Sequence, residues 1–159
     1  MAHTVIEQIA IALKTQLETI TVANGYENDV NTVYRPRRTP EGNKFKNLDI
    51  IMMQGDMDPD PENHVAGNPP GLGWLVTFSL DLIIRQPEAS TVPMDQIIND
   101  FVGDVQKAVM QDVSFGSLAQ DTRLGSVEFA GEASGFEGAT VWIEVLTRVK
   151  ENDPFTAFA

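Results

Sequence analysis

The feature that most constrains this chain is the run from Trp74 to Ile84, WLVTFSLDLII. Trp74, Val76, Phe78, Leu80, Leu82 and Ile84 fall on one side of an extended backbone, and Leu75, Thr77, Ser79, Asp81 and Ile83 on the other. Side chains alternate between the faces of a strand, so this pattern demands a sheet with one buried face. Leu75 and Ile83 make the second side less polar than a solvated one, which predicts a neighbouring subunit there. Scattered surface apolar residues are the plainer alternative.

Two segments have the helical spacing needed to cover such a sheet. Val5, Ile9, Ala12, Leu13, Gln16 and Ile20 predict an amphipathic helix over 3–20, opened near Thr4 and closed before Asn24-Gly25. Met94, Ile97, Ile98, Phe101, Val102, Val105, Ala108 and Val109 predict a second, capped by Ser90 or Thr91, with Pro93 in its first turn and an end near Asp112. Residues 29–36 and 47–54 read as strands. The Pro- and Gly-bearing stretch RPRRTPEGNKFK between them predicts a long β-hairpin. Residues 55–71, with four prolines and three glycines, predict a long irregular loop. After a loop SFGSLAQDTRLG come two strands, roughly 124–132 and 138–149, and a tail with two exposed phenylalanines, Phe155 and Phe158.

The expected fold is therefore α+β: a mostly antiparallel sheet of about five strands, two helices on one face, and long hairpin and loop insertions. Residues 1–150 form one domain and 151–159 a C-terminal tail. Its 159 residues are enough for a single domain to bury a core. Met1–Leu13 contains Glu7 and lacks a basic lead-in to an apolar block, so it does not read as a signal peptide. No apolar run approaches the length of a membrane span.

The absence of cysteine excludes disulfides, thiolate metal sites and cysteine nucleophiles, and it points to production in a cytoplasm. A net charge of −12 repels phosphate backbones and anionic membranes. Five of the eleven basic residues, Arg35, Arg37, Arg38, Lys44 and Lys46, nevertheless fall in one stretch. They form either a solvated loop or a patch that meets acidic protein or DNA. Phe155 and Phe158 either anchor in a neighbour or pack back on their own domain.

Catalytic and metal motifs are weak. His3 and His64 lack a partner at metal-ligand spacing, and no Gly-x-Ser-x-Gly elbow exists. Asp56, Asp58, Asp60 and Glu62 alternate as calcium-binding carboxylates do, yet Pro61 and Gly67 occupy the sixth and twelfth positions, where an EF-hand loop needs Gly and Glu. A solvated acidic loop is the default. Gly71-Leu-Gly73 lacks the third glycine of a dinucleotide fingerprint and precedes a strand. Aromatic residues do not alternate with basic ones, so no stacking platform for single-stranded nucleic acid is suggested. The expectation is no enzyme, no catalytic residue, no metal and no cofactor.

One resemblance covers nearly the whole chain. The N-terminal helix, the Tyr34-Arg35-Pro36 segment, the strand WLVTFSLDLIIRQP, the helix MDQIINDFVGDVQKAVMQD, the loop SFGSLAQDTRL and the terminal ATVWIEVLTRVKENDPF follow one another as in the tail terminator (tail completion or neck) proteins of long-tailed bacteriophages. Residues 94–123 and 150–155 carry it best. The resemblance implies a virion protein assembled in the bacterial cytoplasm. It implies a ring, usually of six copies, that ends tail-tube growth and meets the head connector. DNA passes through the bore without specific binding, which an acidic lumen would favour. The basic stretch would grip an acidic partner ring. A head-tail stopper or tail-tube subunit is the near alternative, and a small enzyme or calcium module using Asp56, Asp58 and Asp60 the distant one.

Overall fold

The computed structural model describes residues 2–35, 45–85, 90–133 and 136–158, the side chains of 130–133 and 136 excepted. It is α+β: two helices and one mixed, curled sheet of six strands. The elements run α1 (Val5–Leu17), β1 (Thr32–Tyr34), β2 (Asp49–Pro59), β3 (Gly71–Ile84), α2 (Met94–Val109), β4 (Asp121–Ala133), β5 (Phe136–Lys150) and β6 (Asp153–Ala157). Spatial order is β1-β2-β3-β5-β4, and β6 pairs with the far end of β5.

The alternation in β3 produces the expected asymmetry. Val76, Phe78, Leu80, Leu82 and Ile84 are buried with Val141, Ile143 and Val145 of β5. Both helices lie over this face. Val5, Ile9, Leu13 and Leu17 of α1 join Ile98, Phe101, Val105 and Val109 of α2 in one core. Thr4 caps α1, its hydroxyl accepting from the Glu7 N–H at 3.3 Å. Gln16 Nε2 lies 3.3 Å from the carbonyl oxygens of both Ala108 and Asp112, joining α1 to the end of α2. Each fully buried Leu, Ile or Phe contributes about 1.5–3 kcal/mol, so this face carries most of the stability.

Five expectations are corrected. Residues 29–54 do not form a hairpin: β1 and β2 pair in parallel, with Thr32 opposite Asp49 and Tyr34 opposite Ile51. The cause is a buried carboxylate. Asp49 accepts from Asn31 Nδ2 and from the Lys46 N–H, both at 2.7 Å, so the chain re-enters beside the start of β1. Leu48, at φ 60°, makes the turn into β2. Parallel neighbours need a crossover of a dozen or so residues, which the chain between Tyr34 and Asp49 supplies.

Residues 55–59, predicted as loop, continue β2. A bulge between Gln54 and Met57 restores register with β3, and Pro59 stands at the strand's end, where its missing N–H costs nothing. The irregular part of the connection is 60–70. No side chain caps α2; Pro93 takes the cap position in extended conformation, and Ser90 Oγ instead accepts from the Val92 N–H. β4 starts at Asp121, inside the segment read as loop, because Thr122 pairs with Val145 and turns inward to bond the Val113 carbonyl at 2.7 Å. Finally, the C-terminal segment is a strand. β6 returns along β5, setting Ala157 opposite Val149.

Candidate assembly surfaces

Among the described residues no α-helix covers the second face of the sheet. Leu75, Thr77, Asp81 and Ile83 of β3 are half-buried there, beside Trp142 and Glu144 of β5. Curling of the sheet shelters Ile51, Ser79 and Leu146, which are 6–8 % exposed. One end of this face is capped from within the chain. The turn at Asp60–Asn63 sits over Gly73, where an added Cβ would strike the Asp60 carbonyl and Asn63. Arg148 holds the turn in place, its Nε donating to the Asn63 carbonyl at 2.7 Å and an Nη to Asn63 Oδ1 at 3.2 Å. The Phe158 ring lies directly on Gly71.

β4 forms the far margin of the sheet. It pairs with β5 on one side, and among the described residues nothing pairs with the other. Leu124 is 37 % exposed and Phe129 is 60 % exposed along it. An unpaired strand of this length, with apolar side chains beside it, is a template for another chain.

The predicted interface residues are spread over several places. Arg35 grips Glu7 of α1 with two bonds, Nη1–Oε1 at 2.8 Å and Nη2–Oε2 at 2.9 Å. The Arg35 guanidinium holds the Glu7 carboxyl below its usual range against an opposing push from burial, and the Arg35 pKa rises in return. Arg37, Arg38 and Lys44 lie outside the described residues. Lys46 is exposed, and its N–H is the one that bonds Asp49. Phe155 is exposed on β6, and Phe158 is half-buried against its own chain. Asp153 shapes the β6 turn by accepting from Thr156 Oγ1 at 2.6 Å and the Phe155 N–H at 3.1 Å, bonds that draw its carboxyl pKa down.

A cavity of about 420 Å³ opens beside the N-terminal turn of α1. Ile6, Met57, Leu72, Trp74 and Val149 supply its apolar wall. Thr4, Glu7, Gln54, Lys150 and Glu151 line it as well. No single stretch of sequence signals this hollow, since its walls come from α1, β2, β3, β5 and the start of β6.

The buried carboxylates are occupied by structural bonds. Asp104, 4 % exposed, accepts from the Glu27 N–H at 3.1 Å and from the Asn28 N–H and Nδ2, each at 2.9 Å, and so fastens α2 to the turn after α1. Asp56 and Asp58 are exposed on the outer part of β2. Among the described residues no three His, Cys, Asp or Glu side chains converge as a metal site, and no helix is long and apolar enough to cross a membrane. The arrangement offers a sheet margin, a face without a covering α-helix among the described residues, and an apolar hollow. Neither the known protein families nor the curated proteins contain a match to this chain.

Proposed function

We propose that this chain is a structural subunit of the neck of a long-tailed bacteriophage, of the tail-terminator type. Copies of it close into a ring, six being the number the resemblance implies, that caps the tail tube and joins it to the head-completion or connector protein. DNA passes through the lumen without specific binding. The protein acts in the virion after assembly in the host cytoplasm, with no catalytic role and no membrane partner.

The observation that supports this reading is the open β4 margin, with Leu124 and Phe129 exposed along it and a sheet whose opposite margin, β1 and β2, is different in length and charge. A contact joining unlike sides of identical subunits is head-to-tail, and such contacts close into rings when the rotation permits. Strand addition at an open edge supplies main-chain hydrogen bonds, with apolar side chains adding specificity.

The test is solution mass by light scattering after size exclusion, across a concentration series. The expected species is a ring near 6 × 17.5 = 105 kDa, formed alone or on tail tubes. Phe129→Asp returns it to single subunits with unchanged circular dichroism. Open-ended growth would assign a tube subunit instead. A chain that neither assembles nor binds tubes sinks the proposal.

A further inference from the structure

Ring closure through β4 requires a complementary surface on the next copy, and the opposite margin of the sheet supplies one. β1 covers the outer side of β2 only at Asp49–Ile51. From Met53 to Pro59 nothing pairs with that side among the described residues. The sheet therefore carries an unpaired strand at each margin, β4 on one and the outer part of β2 on the other.

The two strands share one irregularity. In β2, Gln54 stands opposite Phe78 and Met57 opposite Val76, three residues advanced against two. In β4, Leu124 stands opposite Ile143 and Val127 opposite Val141, again three against two. A bulge bends and twists its strand, so a regular strand falls out of step beside it. Two bulged strands set bulge to bulge stay in step. Laid antiparallel with Leu124 beside Met57, β4 of one copy brings Val127 beside Gln54 of another. The bulge residues Gly125 and Ser126 then face Gly55 and Asp56.

Faces, charges and directions agree with this alignment. Gln54, Met57, Leu124 and Val127 are all on the helix side, because Phe78, Val76, Ile143 and Val141 opposite them are core residues. Leu124 and Val127 therefore come against the cavity beside α1, which Gln54 and Met57 line. On the other face Arg123 meets the exposed Asp58. Arg123 donates from Nε to Asp121 at 3.0 Å, and its side chain stays 61 % exposed. Pro59, which has no N–H to donate, ends the match opposite Thr122. β2 and β5 run one way, β3 and β4 the other. Antiparallel pairing of β4 with the next β2 thus keeps every copy in one orientation, with its helices on one side. That is the head-to-tail relation a ring needs.

We propose, building on the reading of the chain as a ring subunit, that Thr122–Glu128 of one copy pairs antiparallel with Met53–Pro59 of the next, Leu124 beside Met57 and Arg123 beside Asp58. The sheet then continues from copy to copy, and the cavity beside α1 becomes part of the seam between them.

The chain has no cysteine, so an engineered pair reports this register directly. Met57 and Leu124 are 41 % and 37 % exposed, so cysteine at both leaves the fold intact, which circular dichroism checks. Cross-strand neighbours have Cβ atoms about 4.5–5.5 Å apart, whereas positions 57 and 124 of one chain lie on opposite margins of its sheet. Mild oxidation of the Met57→Cys, Leu124→Cys variant is expected to give a covalent ladder of copies that ends at the ring. Gln54→Cys with Glu128→Cys places the two thiols on opposite faces and links at least about tenfold less. Arg123→Asp and Asp58→Arg each weaken assembly about threefold, and together they restore it to within about twofold of the parent. Equal linking by the mismatched pair, dimers from Leu124→Cys alone, or no rescue by the double reversal would overturn the proposal. Light scattering on the same samples separates the two ideas. A ring without covalent links removes this seam and keeps the ring. Linked chains that grow without closing keep the seam and remove the terminator reading, and a chain that never assembles removes both.

Discussion

The two faces of the central sheet share their strands and differ in nearly everything else. On the helix side, Phe78, Leu80 and Leu82 meet α1 and α2 and are at most 1 % exposed. On the other side, Thr77, Asp81 and Ile83 of the same strand face no described α-helix and keep part of their surface in water. One residue of register separates a position that holds the fold together from one available for contact with another chain. Most of this strand's contribution to stability therefore lies on one side, and the other side can be altered with little effect on the fold.

The comparison breaks most visibly if neighbouring residues of β3 prove equally sensitive. Phe78→Ala is expected to cost about 3–5 kcal/mol, through lost burial and the cavity left behind, while Thr77→Ala costs less than about 1 kcal/mol. Urea unfolding of both variants checks this, and similar midpoints would refute the assignment. Next in size is Gly138. A Cβ there would collide with the Leu82 carbonyl oxygen across the β3–β5 ladder, so Gly138→Ala is expected to cost about 1–3 kcal/mol by displacing backbone. The contrasting glycine is Gly103 of α2, where an added Cβ meets nothing within 4 Å. Gly103→Ala is expected to raise stability by up to about 1 kcal/mol, since glycine weakens a helix interior. Thermal melts of the pair decide it, and a loss at Gly103 would show a contact outside the fold described.

The smallest effect concerns the edge of the helix layer. Glu7 and Arg35 are about one-third exposed, with side-chain values of 36 % and 29 %, so solvent screening limits their pair to at most about 1 kcal/mol. The folded Glu7 pKa is depressed, so the contribution is present above the ordinary glutamate range and lost as pH falls through the lowered value. Glu7→Gln is therefore expected to destabilise slightly at pH 7, and the difference from the parent should vanish in acid. A difference independent of pH would mean that the ion pair is not its source.

Much of the fold was legible because its determinants are local. The alternation of β3 and the wide apolar stripe of α2 are each complete within one segment. The parallel pairing of β1 with β2 was not legible, because it depends on Asp49 reaching Asn31 and on the Lys46 N–H, a long-range choice that no periodicity records. The outer part of β2 was hidden for another reason. Gly, Asp and Pro are the residues of loops, but β2 can carry them on an exposed, bulged extension where nothing needs burying. β6 was obscured by Asp-Pro in the same way. Of the candidate surfaces, the exposure of Phe155 was readable and the ion pair that occupies Arg35 was not. The cavity beside Trp74 exists only once five elements meet.

The β3–β5 ladder also dictates when this protein can fold. It runs from Gly71 opposite Lys150 to Ile84 opposite Glu137, so it cannot close until β5 has been made. Contacts this distant in sequence slow folding, because the closure entropy must be met before they contribute. Meanwhile α1 precedes the elements it packs against, α2 and β6. A nascent chain of this protein therefore exposes Val5, Ile9 and Leu13 until α2 and β6 have been made, and that interval is when a chaperone has most to gain by holding it.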